Sequence, residues 1–339
     1  MRKKGCKRLI YPLTSLVSRE ILQNLCFGSE LTSPTKEIDS IDKILDIIEK
    51  LAAAAGKSKS DGVLPAEHTD GIYNQIIEAI DDLNSLFKTP NYAYKFLNTN
   101  GINKIITPIL SVNYEPMKKE LLLLLKTLFK TAPVTTKEFI PLNVIDKLLD
   151  IFENDDNLAL KTRALDIMYN WLPGNPKVQA RVMKLKGLEP FYDQISKLDA
   201  STVYTLLDLF NQLLEEHLMA RDRKLQKNKD DFETMVLYER IGLLERMSSS
   251  SVCHGLLNIF ESISFRDDVE SSPSFFGLLK NVKPFCLKYF KGDTQAAKVF
   301  ESIKNYLVPK GSVKGFNVTD VKKLVDDYIE NINNIRDEF

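Results

Sequence analysis

Four stretches that align under one another decide the fold: FLNTNGINKIITPIL (residues 96–110), FIPLNVIDKLLDIF (139–152), VMKLKGLEPFYDQI (182–195) and LYERIGLLERM (237–247). One alignment column holds Gly101, Val144, Gly187 and Gly242, at spacings of 43, 43 and 55 residues. A weaker fifth copy, LLKNVKPFCLKYF (278–290), puts Asn281 in that column, 39 residues further on. The segments before the first three copies also correspond: SLFKTPNYAYKF, TLFKTAPVTTKEF and NWLPGNPKVQARV. Each is an apolar helix end, then Pro90, Pro133 or Pro176, then a short polar restart. Proline cannot continue a helix, because it lacks the N–H and its ring clashes with the preceding turn.

Within a unit, apolar residues recur at helical spacing. Ile145, Leu148, Leu149 and Phe152 share one face; Leu160, Ala164, Leu165 and Met168 share another. Each unit reads as a short helix, a middle helix and a longer third helix. A helical unit of about 40–47 residues is the armadillo/HEAT period. The expected fold is all-α, an armadillo/HEAT-like solenoid of about four to five repeats with terminal capping helices. One unit alone cannot bury its apolar face, whereas stacked units share a continuous core.

Working outward, residues 1–37 read as a leader and 38–71 as a helix (39–55) plus a linker (57–70). Residues 72–290 form the repeat core. Residues 291–339 hold closing helices at 293–308 and 319–335, then a tail. The 55-residue spacing reflects a charged insertion, MARDRKLQKNKDDF (219–232), read as an extended helix or a loop on one face.

The 339 residues are 44% hydrophobic and 27% charged, with 46 basic and 46 acidic side chains. Zero net charge gives no overall attraction to a phosphate backbone, so no nucleic-acid partner is expected. Leu121–Leu125 is too short for a membrane span, which needs about 20 apolar residues, and it reads as a buried helix. There is no GxxxxGK[ST], GxGxxG, HExxH or GxSxG motif, and no catalytic constellation. Of four cysteines (6, 26, 253, 286) and three histidines (68, 217, 254), only Cys253 and His254 are neighbours. Adjacent helical residues diverge, so no metal site and no cofactor is expected. His217 and His254 read as structural, and Trp171 as core.

One polar residue recurs in each third helix: Asn84, Thr127, Asn170, Asn211 and Asn258, spaced 43, 43, 41 and 47. Asp166 lies four residues before Asn170 on the same face. Such a ladder either lines a concave groove that grips a protein partner or orders the stack through hydrogen bonds.

The termini speak of compartment. Arg336-Asp337-Glu338-Phe339 resembles the KDEL/HDEL retrieval signal of the endoplasmic reticulum, with a cation, two anions and a terminal apolar residue. MRKKGCKR is a basic n-region before LIYPLTSLVS, an atypical signal that contains Pro12 and has no A-x-A site. Asn317-Val318-Thr319 is a glycosylation sequon. In an oxidising lumen Cys253 and Cys286 either pair, as residues of neighbouring repeats, or remain buried thiols.

The central stretch KTRALDIMYNWLPGNPKVQARVMKLKGLEPFYDQI (161–195), with the RDEF tail, resembles the SIL-type armadillo nucleotide-exchange factors of the lumenal chaperone BiP. Asn175–Leu188 is similar to that family's NNPKAQ…GGL repeat junctions. The resemblance covers about residues 72–290 plus the tail. It departs at the family's N-terminal cysteine pair, since Cys6 and Cys26 lie far apart. It implies a lumenal monomer that clasps one lobe of the chaperone's ATPase domain, favours an open cleft and promotes ADP release, with no covalent chemistry. The competing expectation is a cytosolic armadillo adaptor that holds a peptide in its groove.

Overall fold

The computed structural model describes residues 41–46, 48–50, 52–53, 66–222, 229–264, 273–307 and 317–334. The leader and the Arg336–Phe339 tail lie outside the described residues. Among those described there is no strand; the chain is a helical solenoid of armadillo type. None of its helices is long and apolar enough to cross a membrane.

The first described residues, 41–46 and 48–50, are helical and bury Ile41, Ile44, Leu45 and Ile48. Helix α1 (Ala66–Leu86) follows and begins inside the expected linker. Unit one is α2 (Pro90–Asn98), the π-helical turn Ile102–Ile106 with its short extension Thr107–Ile109, and α3 (Glu115–Thr131). Unit two is α4 (Pro133–Phe139), α5 (Asn143–Asn154) and α6 (Leu158–Trp171). Unit three is α7 (Pro176–Leu185), α8 (Glu189–Asp193) and α9 (Ala200–Arg221). Pro90, Pro133 and Pro176 each open a first helix. There the missing N–H is one that no intrahelical carbonyl would have accepted. Gly187 and Gly242 adopt φ of 75° and 72°, the left-handed turn between first and middle helices. In unit one Asn100 (φ 62°) does that work instead of Gly101.

Unit four differs from the expected register. After α10 (Lys229–Ile241) come α11 (Leu243–Met247), α12 (Ser250–Ser264) and α13 (Pro273–Phe290). The third helices stack as α1 on α3, α3 on α6 and α6 on α9; then α9 packs on α13, and α13 on the last helix. Helix α12 instead lies in the middle layer, between α8 and α14 (Thr294–Leu307). The fit is steric. A Cβ at Gly255 of α12 would lie 2.5 Å from the Tyr192 ring of α8, and one at Gly277 of α13 would lie 3.1 Å from the Asn211 amide of α9. Residues 278–290 are therefore not the start of a fifth unit but part of one continuous third helix. Pro284 and Lys280, the residue four before it, are both exposed, so water can satisfy the carbonyl that the proline leaves unpaired. Helices α14 and α15 (Val318–Asn333) close the stack as a middle and a third helix.

The apolar faces expected in unit two are buried throughout, from Ile145 to Phe152 and from Leu160 to Met168. Leu121, Leu122, Leu124 and Leu125 are all inaccessible, and Trp171 is fully buried against Phe129. Cys253 of α12 and Cys286 of α13 form a disulfide that ties the middle layer to the third-helix layer.

Candidate functional site

The third helices meet along a continuous polar seam. Thr127 Oγ1 donates to Asn84 Oδ1 at 2.5 Å, joining α3 to α1. Lys126 Nζ pairs with Asp166 at 2.6 Å, joining α3 to α6. The hydroxyls of Thr162 and Thr202 meet at 2.9 Å. Tyr169 OH donates to Asp208, and Gln212 Nε2 donates to both, at 2.8 and 2.9 Å. Burial, followed by the bond to Asp208, raises the pKa of the Tyr169 phenol. Asp208 also accepts from Ser274 of α13. Finally Asn281 Nδ2 donates to Asn211 Oδ1 at 3.1 Å and to Glu215 at 3.3 Å.

The seam sorts the expected ladder residues into two kinds. Asn84, Thr127 and Asn211 are engaged between helices; Asn211 is 8% exposed and also donates to Glu215 at 3.0 Å. Asn170 is exposed, and its one described bond runs back to Asp166 O of its own helix, at 2.6 Å. Asp166 is paired but still solvent-accessible. Asn258 is not part of the seam. It sits on α12 in the middle layer and accepts from Gln295 of α14 at 3.0 Å. Its place is taken by Asn281, which the sequence reading had put in the glycine column. Lys126, Tyr169, Asp208 and Gln212 were also missed. One spacing could have revealed part of this: Gln212 lies 43 residues after Tyr169, one repeat on.

A second polar cluster lies between units three and four. His217 is fully buried; its Nε2 meets Gln179 Oε1 at 2.9 Å, and its ring stands edge-on to Tyr238. Glu216 accepts from Gly174 N at 2.6 Å, from Gln179 Nε2 at 2.9 Å and from the Tyr238 hydroxyl at 3.2 Å. The adjoining cavity is about 20 Å³, room for a single water and no substrate. Burial first, then the charge of Arg221, pushes the His217 pKa down to about 4. The unfolded chain, at the ordinary histidine value of 6.5, therefore takes up a proton before the folded one does. Stability is unaffected above pH 6.5 and falls by up to about 3 kcal/mol as pH drops towards 4. The check is urea unfolding across that window: the wild-type curve minus that of His217→Gln should show this slope, and parallel curves would refute it. His254 is likewise structural, bonded to Ser250 O at 2.8 Å and to Asp293 at 3.1 Å.

Neither cluster joins a nucleophile to a base. Along the seam Lys126, Asn170 and Glu215 are exposed, and the other groups are half-buried or buried. The class of protein is thus an armadillo-type solenoid with a hydrogen-bonded third-helix face. Residues 92–307 match the family model described as the SIL1/FES1/HPBP1 C-terminal domain, and the chain belongs to that family. The protein named "Nucleotide exchange factor SIL1" from Xenopus laevis is 20% identical over 299 residues, 84% of this chain and 64% of the relative. The chain thus spans just under two thirds of that relative's length. Among solved structures, a designed armadillo repeat protein aligns at 10% identity and a TM-score of 0.39, covering 86% of this chain and 100% of its own. An engineered protein aligns at 13% identity and the same score, covering 84% of this chain and 98% of its own.

Proposed function

We propose that this chain is a nucleotide-exchange factor for a BiP-type Hsp70 chaperone of the endoplasmic reticulum lumen. It would act as a monomer, clasping the chaperone's ATPase domain with its third-helix face and favouring the open cleft, so that ADP leaves. In this way it would support folding and translocation of secretory proteins. The observation that carries the reading is the family match over residues 92–307, which spans most of the stacked units. The name of the Xenopus laevis relative adds to it. The reading of Arg336–Phe339 as a retrieval signal belongs to the same proposal.

The physical requirement is differential affinity, because a partner shifts an equilibrium only by binding one state better than the other. A rod whose helices are cross-bonded resists deforming to fit the closed state. Exposed Asn170 and Lys126, with Asp166, are the seam residues placed to touch a partner. The test is ADP release from purified BiP. Asn170→Ala combined with Lys126→Ala should weaken the acceleration about fivefold, corresponding to about 1 kcal/mol of contact energy, while stability falls by no more than the ~0.5 kcal/mol of the lost surface ion pair with Asp166. Asn211→Ala should instead lower stability by about 1–2 kcal/mol, because it strips partners from Asn281 and Glu215. No acceleration at saturating wild-type protein overturns the exchange reading; recovery of the protein from cytosol rather than lumen overturns the compartment.

A further inference from the structure

We propose that Asn100 modifies itself in the folded protein: its side-chain amide closes a succinimide ring with the backbone nitrogen of Gly101, and water opens the ring to aspartate or isoaspartate. Asn100-Gly101 is the one Asn-Gly pair in the 339 residues. The fold demands both members. Asn100 holds φ of 62° in the turn that follows α2, a left-handed conformation that asparagine tolerates better than most side chains. Gly101 has an ordinary φ of −59°, so its need is for space: a Cβ there would lie 2.4 Å from the Phe96 ring. In the later units the same two columns read Asn143-Val144, Lys186-Gly187 and Ile241-Gly242. Unit one alone joins an amide side chain to a neighbour whose nitrogen no side chain of its own shields.

The turn presents the reacting groups. Asn100 is exposed, and Gly101 behind it is buried against Phe96. Among the described residues nothing accepts from the Gly101 N–H, which is one of the first amides of a helical segment and so lies beyond the reach of intrahelical carbonyls. Asn103 Nδ2 donates to Asn100 Oδ1 at 2.5 Å, where negative charge grows as the ring closes. Hydroxide removes the Gly101 N–H proton. The nitrogen bonds to Cγ of Asn100, the Cγ–Nδ2 bond breaks, and ammonia leaves with that electron pair and a proton from water. Water attacking the ring at Cγ restores the peptide with an aspartate; attack at the backbone carbonyl routes the chain through the side chain as isoaspartate. Nothing is oxidised or reduced. Bringing the nitrogen into line with Cγ turns the peptide and breaks one backbone bond, from Lys104 N to Asn100 O at 3.1 Å. Losing one such bond slows the reaction by about tenfold at most relative to an open chain.

The experiment holds the full chain at mildly alkaline pH, folded in buffer and unfolded in urea, and follows each asparagine by peptide mapping with fragment-ion sequencing. Conversion should be fastest at Asn100 in both samples, and the folded rate should lie within about tenfold of the unfolded one. Both products, aspartate and isoaspartate, should appear at that position, and Asn100→Gln should abolish them, because glutamine cannot close the five-membered ring. The isoaspartate form, which lengthens the backbone where Asn100 O accepts from Lys104 N, should show faster hydrogen exchange in unit one and unchanged exchange in units three and four. An intact Asn100 in the folded chain, beside conversion in urea, overturns the proposal, since the fold then protects the pair. Aspartate without isoaspartate also overturns it, because direct hydrolysis passes through no ring.

Discussion

Lys161→Met should destabilise the solenoid by about 3 kcal/mol, the largest effect expected of any single charged-to-apolar exchange in the middle of the stack. Lys161 is 3% exposed, yet it is a lysine. Its ammonium donates to Phe152 O at 2.7 Å, Glu153 O at 3.0 Å and Gln194 Oε1 at 3.1 Å. The first two are carbonyls at the C-terminal end of α5, where no intrahelical donor remains and the helix dipole favours a cation. The third belongs to unit three, so one side chain on α6 latches its own middle helix and that of the next repeat. Burial, then the like charge of Lys197, lowers the lysine's pKa, while Asp155, Asp156 and Glu153 oppose that change. Methionine preserves volume but leaves three acceptors without a donor. Urea unfolding should show the loss, whereas Lys186→Ala, at a half-exposed pair with Glu153, should change stability by no more than about 0.5 kcal/mol. Equal midpoints for wild type and Lys161→Met would show that water replaces the ammonium without penalty.

Reducing the Cys253–Cys286 disulfide, or replacing both residues with alanine, should cost about 3–4 kcal/mol. The bond closes a segment of 33 residues between α12 and α13, and both cysteines are inaccessible to solvent. The expected source is mainly the unfolded chain, which the cross-link prevents from exploring open conformations. Because each repeat contacts only its neighbours, the loss should be local. Hydrogen exchange should accelerate across α12, α13 and the helices of the closing unit, and stay unchanged in units one and two. Uniform acceleration along the whole chain would contradict a local clamp. So would an unfolding midpoint that ignores reductant.

Both predictions concern features that the sequence displays unevenly. The solenoid itself was legible, because a 43-residue recurrence of proline and glycine punctuation leaves few other folds. The core faces of α5 and α6 were legible from helical spacing alone, and the disulfide was one of two open alternatives. Lys161 was not legible. It lies on the apolar side of α6, where a lysine in sequence looks like surface, and only the arrival of the α5 C-terminus beside it turns a charge into a cap.

The fourth unit marks the limit. The sequence by itself determined that the chain is a stack of three-helix modules; for the polar residue that recurs once per third helix it left open a groove for a partner or bonds that order the stack. It assigned the fifth such place to Asn258, because distance along the chain was the sole guide. Tertiary packing decided otherwise. Gly255 admits the Tyr192 ring and Gly277 admits the Asn211 amide, so α12 drops into the middle layer and α13 carries the seam onward through Asn281. Spacing records how often a module recurs; which helix occupies a slot depends on whether two surfaces approach closely enough, and that is settled where residues remote in sequence meet.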